Sequence, residues 1–358
     1  MSSFMERAFQ LAYLGQSHVA PNPMVGAVLV SPKGDVIGEG YHEFYGGPHA
    51  EVMCFNSVKE SDTNLIREST LYCTLEPCCH TNKQTPPCSN LVIKKGIKKI
   101  IIANLDPHPE VAGKGVAKLE AAGIEVEVGM MEKEGEEMNR HFFTAMRLKR
   151  PYIHLKWAQT IDGKLATEKG SSKWITGSQA RDYSQKLRSE CQAIMVGSQT
   201  VLLDNPSLTL RSIETKHLKN PLRLVVSGQQ EKKDFVSLKM FAPEYLANTF
   251  FVSPNAQISN DPQVIFYDGT LKGMLSALYE KKIYSLFVEG GASLLSWFLA
   301  EKMFDEISVF VAPKLLGSGR AIKLPAVDEI AEAHAFDFSS PLVLGDDFLL
   351  RGKSSSQK

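Results

Sequence analysis

His49 and Glu51 stand two residues apart in GGPHAEVMC, and the cysteines Cys78, Cys79 and Cys88 follow in LEPCCHTNKQTPPC. A buried helix needs neither a histidine nor a glutamate at its opening, whereas a metal that activates water needs both, in different roles. Zinc in a hydrolytic site takes three protein ligands and keeps one position for water. The candidate ligands are His49, one cysteine of the Cys78–Cys79 pair, and Cys88, with Glu51 beside the metal as a proton carrier. Side chains at i and i+2 diverge on a regular helix, so His49 and Glu51 address one metal only from a helix entrance, with Pro48 just ahead. Pro86 and Pro87 likewise place Cys88 in the first turn of the next helix. Two helix N-termini directed at one point favour thiolate and hydroxide. Such a Cys₂His site deprotonates water near neutral pH, and Glu51 then passes the proton to a departing amine. A closed structural site would need a fourth ligand, and Cys79 or His80 is available for that. Zinc deaminases combine His-x-Glu with Pro-Cys-x-x-Cys. HAE fits, but here Cys88 comes ten residues after Cys78 instead of three. Cys54 and Cys73 fall within a helix and a strand and read as core thiols.

The second half holds a different candidate. In FVEGGASLLSWF a strand turns through Gly290–Gly291 into a helix, whose first N–H groups suit a phosphate. Glycine pairs also open helices for steric reasons alone. No G-x-G-x-x-G is present, so a Rossmann dinucleotide site is not indicated.

The elements that must position these residues follow an alternating pattern. Phe4, Ala8, Leu11 and Ala12 share a helical face, and VGAVLV and VIGEGYH flank SPKG as a hairpin. After the His–Glu helix come strand STLYCTL, helix PPCSNLVIKKG, strand KKIIIANL, helix GKGVAKLEAAG and strand IEVEVG. Buried strands alternating with helices predict a three-layer α/β/α sheet. Residues 131–149 read as one helix, acidic early and basic late, ending before Pro151. The expected domains are therefore 1–146 and 147–358. The second begins with strand PYIHLKWA and continues through helix SQARDYSQKLRSE and strands CQAIMVG, PLRLVVS, NTFFVS and YSLFVEGG. Helix ASLLSWFLAEK and strand DEISVFVAP complete a second α/β domain, and only the tail KSSSQK reads as unstructured.

Composition limits the partners. The 358 residues include 43% hydrophobic and 22% charged, and 40 basic side chains balance 40 acidic ones. No global field draws the chain to nucleic acid or an anionic membrane. Five of the six cysteines lie between Cys54 and Cys88, a clustering that in a cytosolic chain points to metal or catalysis. Glu6 and Arg7 interrupt the start where a signal peptide needs an apolar run, and no apolar stretch is long enough to span a bilayer. A cytoplasmic location is expected.

Residues 1–145, with PNPMVGAV, HAE and TLEPC…TPPC, resemble the deaminase half of the bifunctional riboflavin-biosynthesis deaminase–reductase family. HLKWAQTIDGKLA, SSKWITGSQAR and VGSQTVLLDNPSLTLR resemble its reductase half. The resemblance implies a cytidine-deaminase-like N-terminal domain and a dihydrofolate-reductase-like C-terminal domain that uses NADPH. It implies His49, Cys78 and Cys88 as zinc ligands and Glu51 as the catalytic acid–base, in a loop one residue longer than the family's usual spacing. Asn22, His42 and Lys83 match pyrimidine-contacting or basic loop positions. Ser172, Arg188, Leu208, Arg211 and Glu289 match substrate positions, the two arginines suiting a phosphate because guanidinium offers paired donors and permanent charge. Ala158, Trp174, Thr200, Asp204, Ser227 and Gly291 match cofactor positions, and Lys156 and Asp204 are expected nearest the reacting carbon. On residue type alone, Lys156 also reads as a solvated edge-strand lysine and Asp204 as a turn residue before Asn205–Pro206. The implied function is deamination of a diaminopyrimidinone ribosylamine 5′-phosphate, then reduction of its ribosyl group, in a homo-oligomer. A nucleic-acid base deaminase sharing only the first domain is the alternative, and it would expect a basic surface. A zinc-stabilised binding module would leave Glu51 and the second half unexplained.

Overall fold

The computed structural model describes residues 2–79, 86–211, 220–227, 235, 237–258 and 261–354. Lys83 and His80 lie outside the described residues. The chain divides into two units, 1–149 and 150–358.

The first unit runs α1 (Ser2–Tyr13), β1 (Gly26–Val30), β2 (Val36–Tyr41), α2 (Ala50–Asn56), β3 (Thr70–Leu75), α3 (Cys88–Lys95), β4 (Lys99–Asn104), α4 (Lys114–Ala121), β5 (Glu125–Val128), α5 (Glu132–Met138) and α6 (Arg140–Leu148). Its sheet has the order β2-β1-β3-β4-β5, with β1 antiparallel to both neighbours and β3, β4 and β5 parallel. Alternate residues of each strand face opposite layers. Ala27, Leu29, Leu71, Cys73, Ile100 and Ile102 pack under α2, α3 and α4. Val28, Val30, Tyr72, Ile101 and Ala103 pack under α1 and Met138 of α5. This is the expected three-layer arrangement, and Cys54 and Cys73 are fully buried core thiols.

Residues 131–149 form two helices instead of one. The break is Asn139, at φ −104°, whose buried side chain accepts from the Met24 N–H at 2.8 Å and donates to the Met24 carbonyl at 2.9 Å. An asparagine engaged with a distant backbone gives up regular helix geometry, an effect that charge patterning along the segment does not register.

The second unit runs β6 (Tyr152–Thr160), α7 (Ser178–Ser189), β7 (Ala193–Gly197), α8 (Ser198–Asp204), β8 (Leu222–Val226), α9 (Pro243–Leu246), β9 (Thr249–Ser253), β10 (Val264–Phe266), α10 (Leu271–Glu280), β11 (Ser285–Glu289), α11 (Ala292–Ala300), β12 (Glu306–Ala312), β13 (Phe336–Phe338), β14 (Leu342–Leu344) and β15 (Asp347–Ser354). The strand order is β10-β9-β8-β7-β11-β6-β12-β15-β13, with β14 also on β15; all pairings up to β12 are parallel and those to β15 antiparallel. Leu294, Leu295 and Phe298 of α11 pack with α10 on one face, and Ala180 and Leu187 of α7 pack with Val201 of α8 on the other. Strand β10, helix α10 and the strands after β12 are additions to the expected elements, and Lys353 and Ser354, expected in an unstructured tail, belong to β15. Gly352 opens that strand to a neighbour, since a Cβ there would lie 2.7 Å from the Phe338 ring. Among the described residues no helix is long and apolar enough to cross a membrane.

The entrance of α2 is set by glycine. Gly38 and Gly40 share one face of β2, and a Cβ on Gly40 would fall 2.3 Å from the Cys54 backbone nitrogen. Gly40→Ala should therefore push α2 off the sheet and destabilise the first unit by about 1–3 kcal/mol, the usual cost of overpacking. The midpoint of urea unfolding, followed by a signal from that unit, is the measurement.

Candidate active sites

In the first unit, α2 and α3 begin at one point. His49 is the residue before α2, in extended conformation, and Cys88 is the first residue of α3 behind Pro87. His49 Nδ1 lies 3.6 Å from Cys78 Sγ and 3.3 Å from Cys88 Sγ, and the three ligand atoms all lie within 4.8 Å of one another. A tetrahedral zinc with Zn–S and Zn–N bonds of about 2.3 and 2.0 Å needs ligand atoms about 3.5 Å apart, so the set fits the ion. Cys78 Sγ also accepts the Cys88 backbone N–H at 3.3 Å, an interaction that favours thiolate. Glu51, in the first turn of α2, is 3% exposed. Burial, then the nearby Cys78 sulfur, raises its pKa above the ordinary carboxyl value, against the opposing influence of His49. A carboxyl so poised can both take and give a proton.

His42 and Asn22 stand beside this cluster. His42 Nδ1 is 2.9 Å from the Pro48 carbonyl and Nε2 is 3.1 Å from Asn22 Nδ2. A carbonyl only accepts, so Nδ1 carries the proton and Nε2 accepts from the amide. Burial lowers the His42 pKa, with the Pro48 carbonyl opposing and His49 adding to it, which keeps the ring neutral. Cys79 points elsewhere, its Sγ 3.8 Å from the Glu110 carbonyl. The sequence reading passed over Glu76. Its buried carboxylate accepts the N–H groups of Asp106, Gly113, Gly115 and Val116 at 2.8–3.1 Å, tying the β4–α4 loop behind the cysteines. The available signal was an acidic residue directly after a buried strand and before Pro77–Cys78.

In the second unit, a cavity of about 1800 Å³ opens at the C-terminal ends of the parallel strands. The chain leaves β7 through α8 toward β8 and leaves β11 through α11 toward β12, on opposite faces of the sheet. Such a switch point leaves a crevice where ligands bind. Lys156, Ala158, Ser172, Trp174, Arg188, Thr200, Asp204, Leu208, Arg211, Glu289 and Gly291 all line it. Ser227 does not; it is buried behind Val226, and its hydroxyl has no partner among the described residues.

The register of β6 and β11 sets Lys156 beside Glu289, with Nζ 3.9 Å from the carboxylate, and Arg188 Nε approaches the same carboxylate at 2.5 Å. Burial acts to raise the Glu289 pKa, but Arg188, Lys156 and Arg211 outweigh it and hold the group below its ordinary value. Burial lowers the Lys156 pKa, Glu289 opposing and Arg188 assisting. Lys156 lies on the central strand β6 with its side chain 18% exposed, and is not a solvated edge-strand lysine. The Gly291 N–H donates to Thr200 Oγ1 at 3.1 Å, closing the crevice floor between α8 and α11. The cavity size, the entrance of α11 and the cationic wall fit an anionic dinucleotide.

Residues 1–104 match the cytidine and deoxycytidylate deaminase zinc-binding region, and residues 151–345 match the RibD C-terminal domain. Fold and site together define a zinc-binding deaminase joined to a reductase. The chain is 42% identical over 355 residues to the riboflavin biosynthesis protein RibD of Aquifex aeolicus, covering 97% of each. It superimposes with a TM-score of 0.88 at 36% identity on Acinetobacter baumannii RibD, covering 99% of this chain and 98% of that one. A Thermotoga maritima diaminohydroxyphosphoribosylaminopyrimidine deaminase/5-amino-6-(5-phosphoribosylamino)uracil reductase gives 0.86 at 35%, with the same coverage. The chain belongs to the RibD family of riboflavin biosynthesis proteins.

The geometry distinguishes the adjacent cysteines. Cys79→Ser should retain one zinc per chain by elemental analysis, and Cys78→Ser should release it. Zinc loss from the Cys79 variant would reverse the assignment.

Proposed function

We propose that the chain carries out two consecutive steps of riboflavin synthesis. The first unit deaminates 2,5-diamino-6-ribosylamino-4(3H)-pyrimidinone 5′-phosphate. The second reduces the ribosyl group with NADPH to give 5-amino-6-ribitylaminouracil 5′-phosphate. The observation that carries this reading is the presence of both constellations in one chain: the His49–Cys78–Cys88 cluster beside buried Glu51, and the cavity around Lys156, Arg188 and Glu289. A nucleic-acid base deaminase would account for the first unit only.

In the first step, Asn22 and His42 hold the pyrimidine, with Lys83 as a further basic contact, while His49, Cys78 and Cys88 hold zinc. Zinc, when bound, supplies the Lewis acidity that yields a nucleophile from water near neutral pH. Glu51 takes the proton of the attacking water and returns it to the departing amine, a role that its buried place in the first turn of α2, two residues from His49, suits. In the second step, Ser172, Arg188, Leu208, Arg211 and Glu289 orient the substrate, the arginines gripping its phosphate. Ala158, Trp174, Thr200, Asp204 and Gly291, which line the cavity, hold NADPH, which supplies the hydride. Lys156 and Asp204 stand nearest the reacting carbon, and Lys156, with its pKa lowered by burial, delivers the accompanying proton. A cytoplasmic setting and a homo-oligomeric state are part of the same reading.

Two substitutions test it. Glu51→Gln should keep its zinc and slow ammonia release by about 10²–10⁴-fold; loss of the metal would make Glu51 a ligand. Asp204→Asn should impair NADPH oxidation while ammonia release from the first substrate stays near wild type. A parallel fall of both rates in a variant with native circular dichroism would sink the assignment of one activity to each unit.

A further inference from the structure

Arg181, Ser184, Gln185 and Arg188 of α7 all line the reductase cavity, at the spacing that puts residues on one helix face. Arg188 is engaged with Glu289. Gln185 has no part in the assignments above, yet it is 8% exposed and its Oε1 accepts the Arg211 backbone N–H at 3.1 Å. That bond does two things. It fixes the backbone of Arg211 against α7, and it commits the amide oxygen, so that the NH₂ end becomes the group left for a ligand. Among the described residues nothing accepts a hydrogen bond from this NH₂. Gln185 lines the cavity, which leaves this NH₂ available to a bound acceptor. It shares the cavity lining with Arg188 and Arg211, which are donors only, so an anion or an oxygen-rich group bound beside the two arginines would also accept from it.

We propose that Gln185 is a further binding residue for the phosphate end of the pyrimidine substrate. Its Nε2 donates to a phosphate oxygen while its Oε1 holds Arg211 in place to grip the same group. One amide thus both positions an arginine and adds a neutral donor beside it, without the like-charge repulsion a third cation would bring. The inference rests on the reading that Arg188 and Arg211 take the substrate phosphate.

Gln185→Glu separates the two roles. It keeps an acceptor for the Arg211 N–H, removes the donor and sets a carboxylate beside the phosphate. The KM for the phosphorylated substrate of the reduction should rise about ten- to hundredfold, the loss expected for one hydrogen bond to a charged group. The KM for NADPH should not change, nor should the KM for the dephosphorylated substrate. Gln185→Met, which adds no charge to the helix face, should raise the same KM if the glutamate variant folds poorly. An unchanged KM for the phosphorylated substrate in the folded variants overturns the proposal. So does an equal change for both substrates, which is the result of a merely structural role. Arg211→Lys, assayed in parallel, tells the two ideas apart. If it weakens the phosphorylated substrate selectively and the Gln185 variants do not, only the role of Gln185 falls. If it affects both substrates alike, the phosphate assignment falls and takes Gln185 with it.

Discussion

A strand that runs parallel to its neighbour cannot return by a tight turn; it must cross over, and the crossover is usually a helix. Each crossover sets the end of a strand beside the start of a helix, where unpaired N–H groups carry partial positive charge. Both sites are made at such junctions. In the first unit, β2 leads to α2 and β3 leads to α3, and the junctions deliver His49, Cys78 and Cys88 to one spot. In the second, β7 leads to α8 and β11 leads to α11, and the junctions deliver Thr200 and Gly291 into hydrogen-bond contact. The chemistry differs between the units, but the same constraint decides where it can be placed.

What each unit does with that junction is a question of charge. The first concentrates soft, ionisable sulfur at a helix entrance and keeps Glu51 away from water, so its carboxyl holds a proton more readily than in solution. The second buries a carboxylate among cations. Glu289 alone would be forced toward neutrality by burial, and Lys156 alone would lose its proton more easily still. Side by side they stabilise each other's charged forms, and the register of β6 against β11 makes that pairing unavoidable. Removing Glu289 would leave Lys156 and Arg188 without their shared carboxylate, which is costlier than losing a surface pair, whereas Glu289 keeps Arg188 when Lys156 is lost.

Much of this was legible in the sequence because residue type and local spacing already encode it. His49 and Glu51 could serve one metal only from a helix entrance, and prolines marked both entrances. The strands of the first sheet and the central strands of the second stood out as apolar runs between helices, whereas the three-residue β10 did not. Less accessible were features set by distant partners. Asn139 breaks a continuous helical pattern because Met24 comes to meet it. Glu76 organises the β4–α4 loop through backbone groups far along the chain. Gln185 looked like an ordinary polar helix residue until Arg211 came beside it. The closing strands β13 and β14 are only three residues long and mostly exposed, and β15 breaks its apolar run with Arg351, Gly352 and Lys353.

Cys88 comes ten residues after Cys78, and the geometry of the site does not depend on that length. Both flanks are tied down by bonds that do not involve the intervening stretch. The Cys78 carbonyl accepts the Ser89 N–H at 3.2 Å, and the Cys78 sulfur accepts the Cys88 N–H at 3.3 Å. Glu76, two residues ahead of Cys78, is bonded to four backbone N–H groups of the β4–α4 region. With the ends set independently, lengthening a loop of this size by one residue costs only about 0.1 kcal/mol of closure entropy. A change of that size cannot compete with the sulfur–nitrogen geometry at the helix entrances. Loop length can therefore vary while the ligand triangle stays put, because the ligands belong to the strand and helix ends.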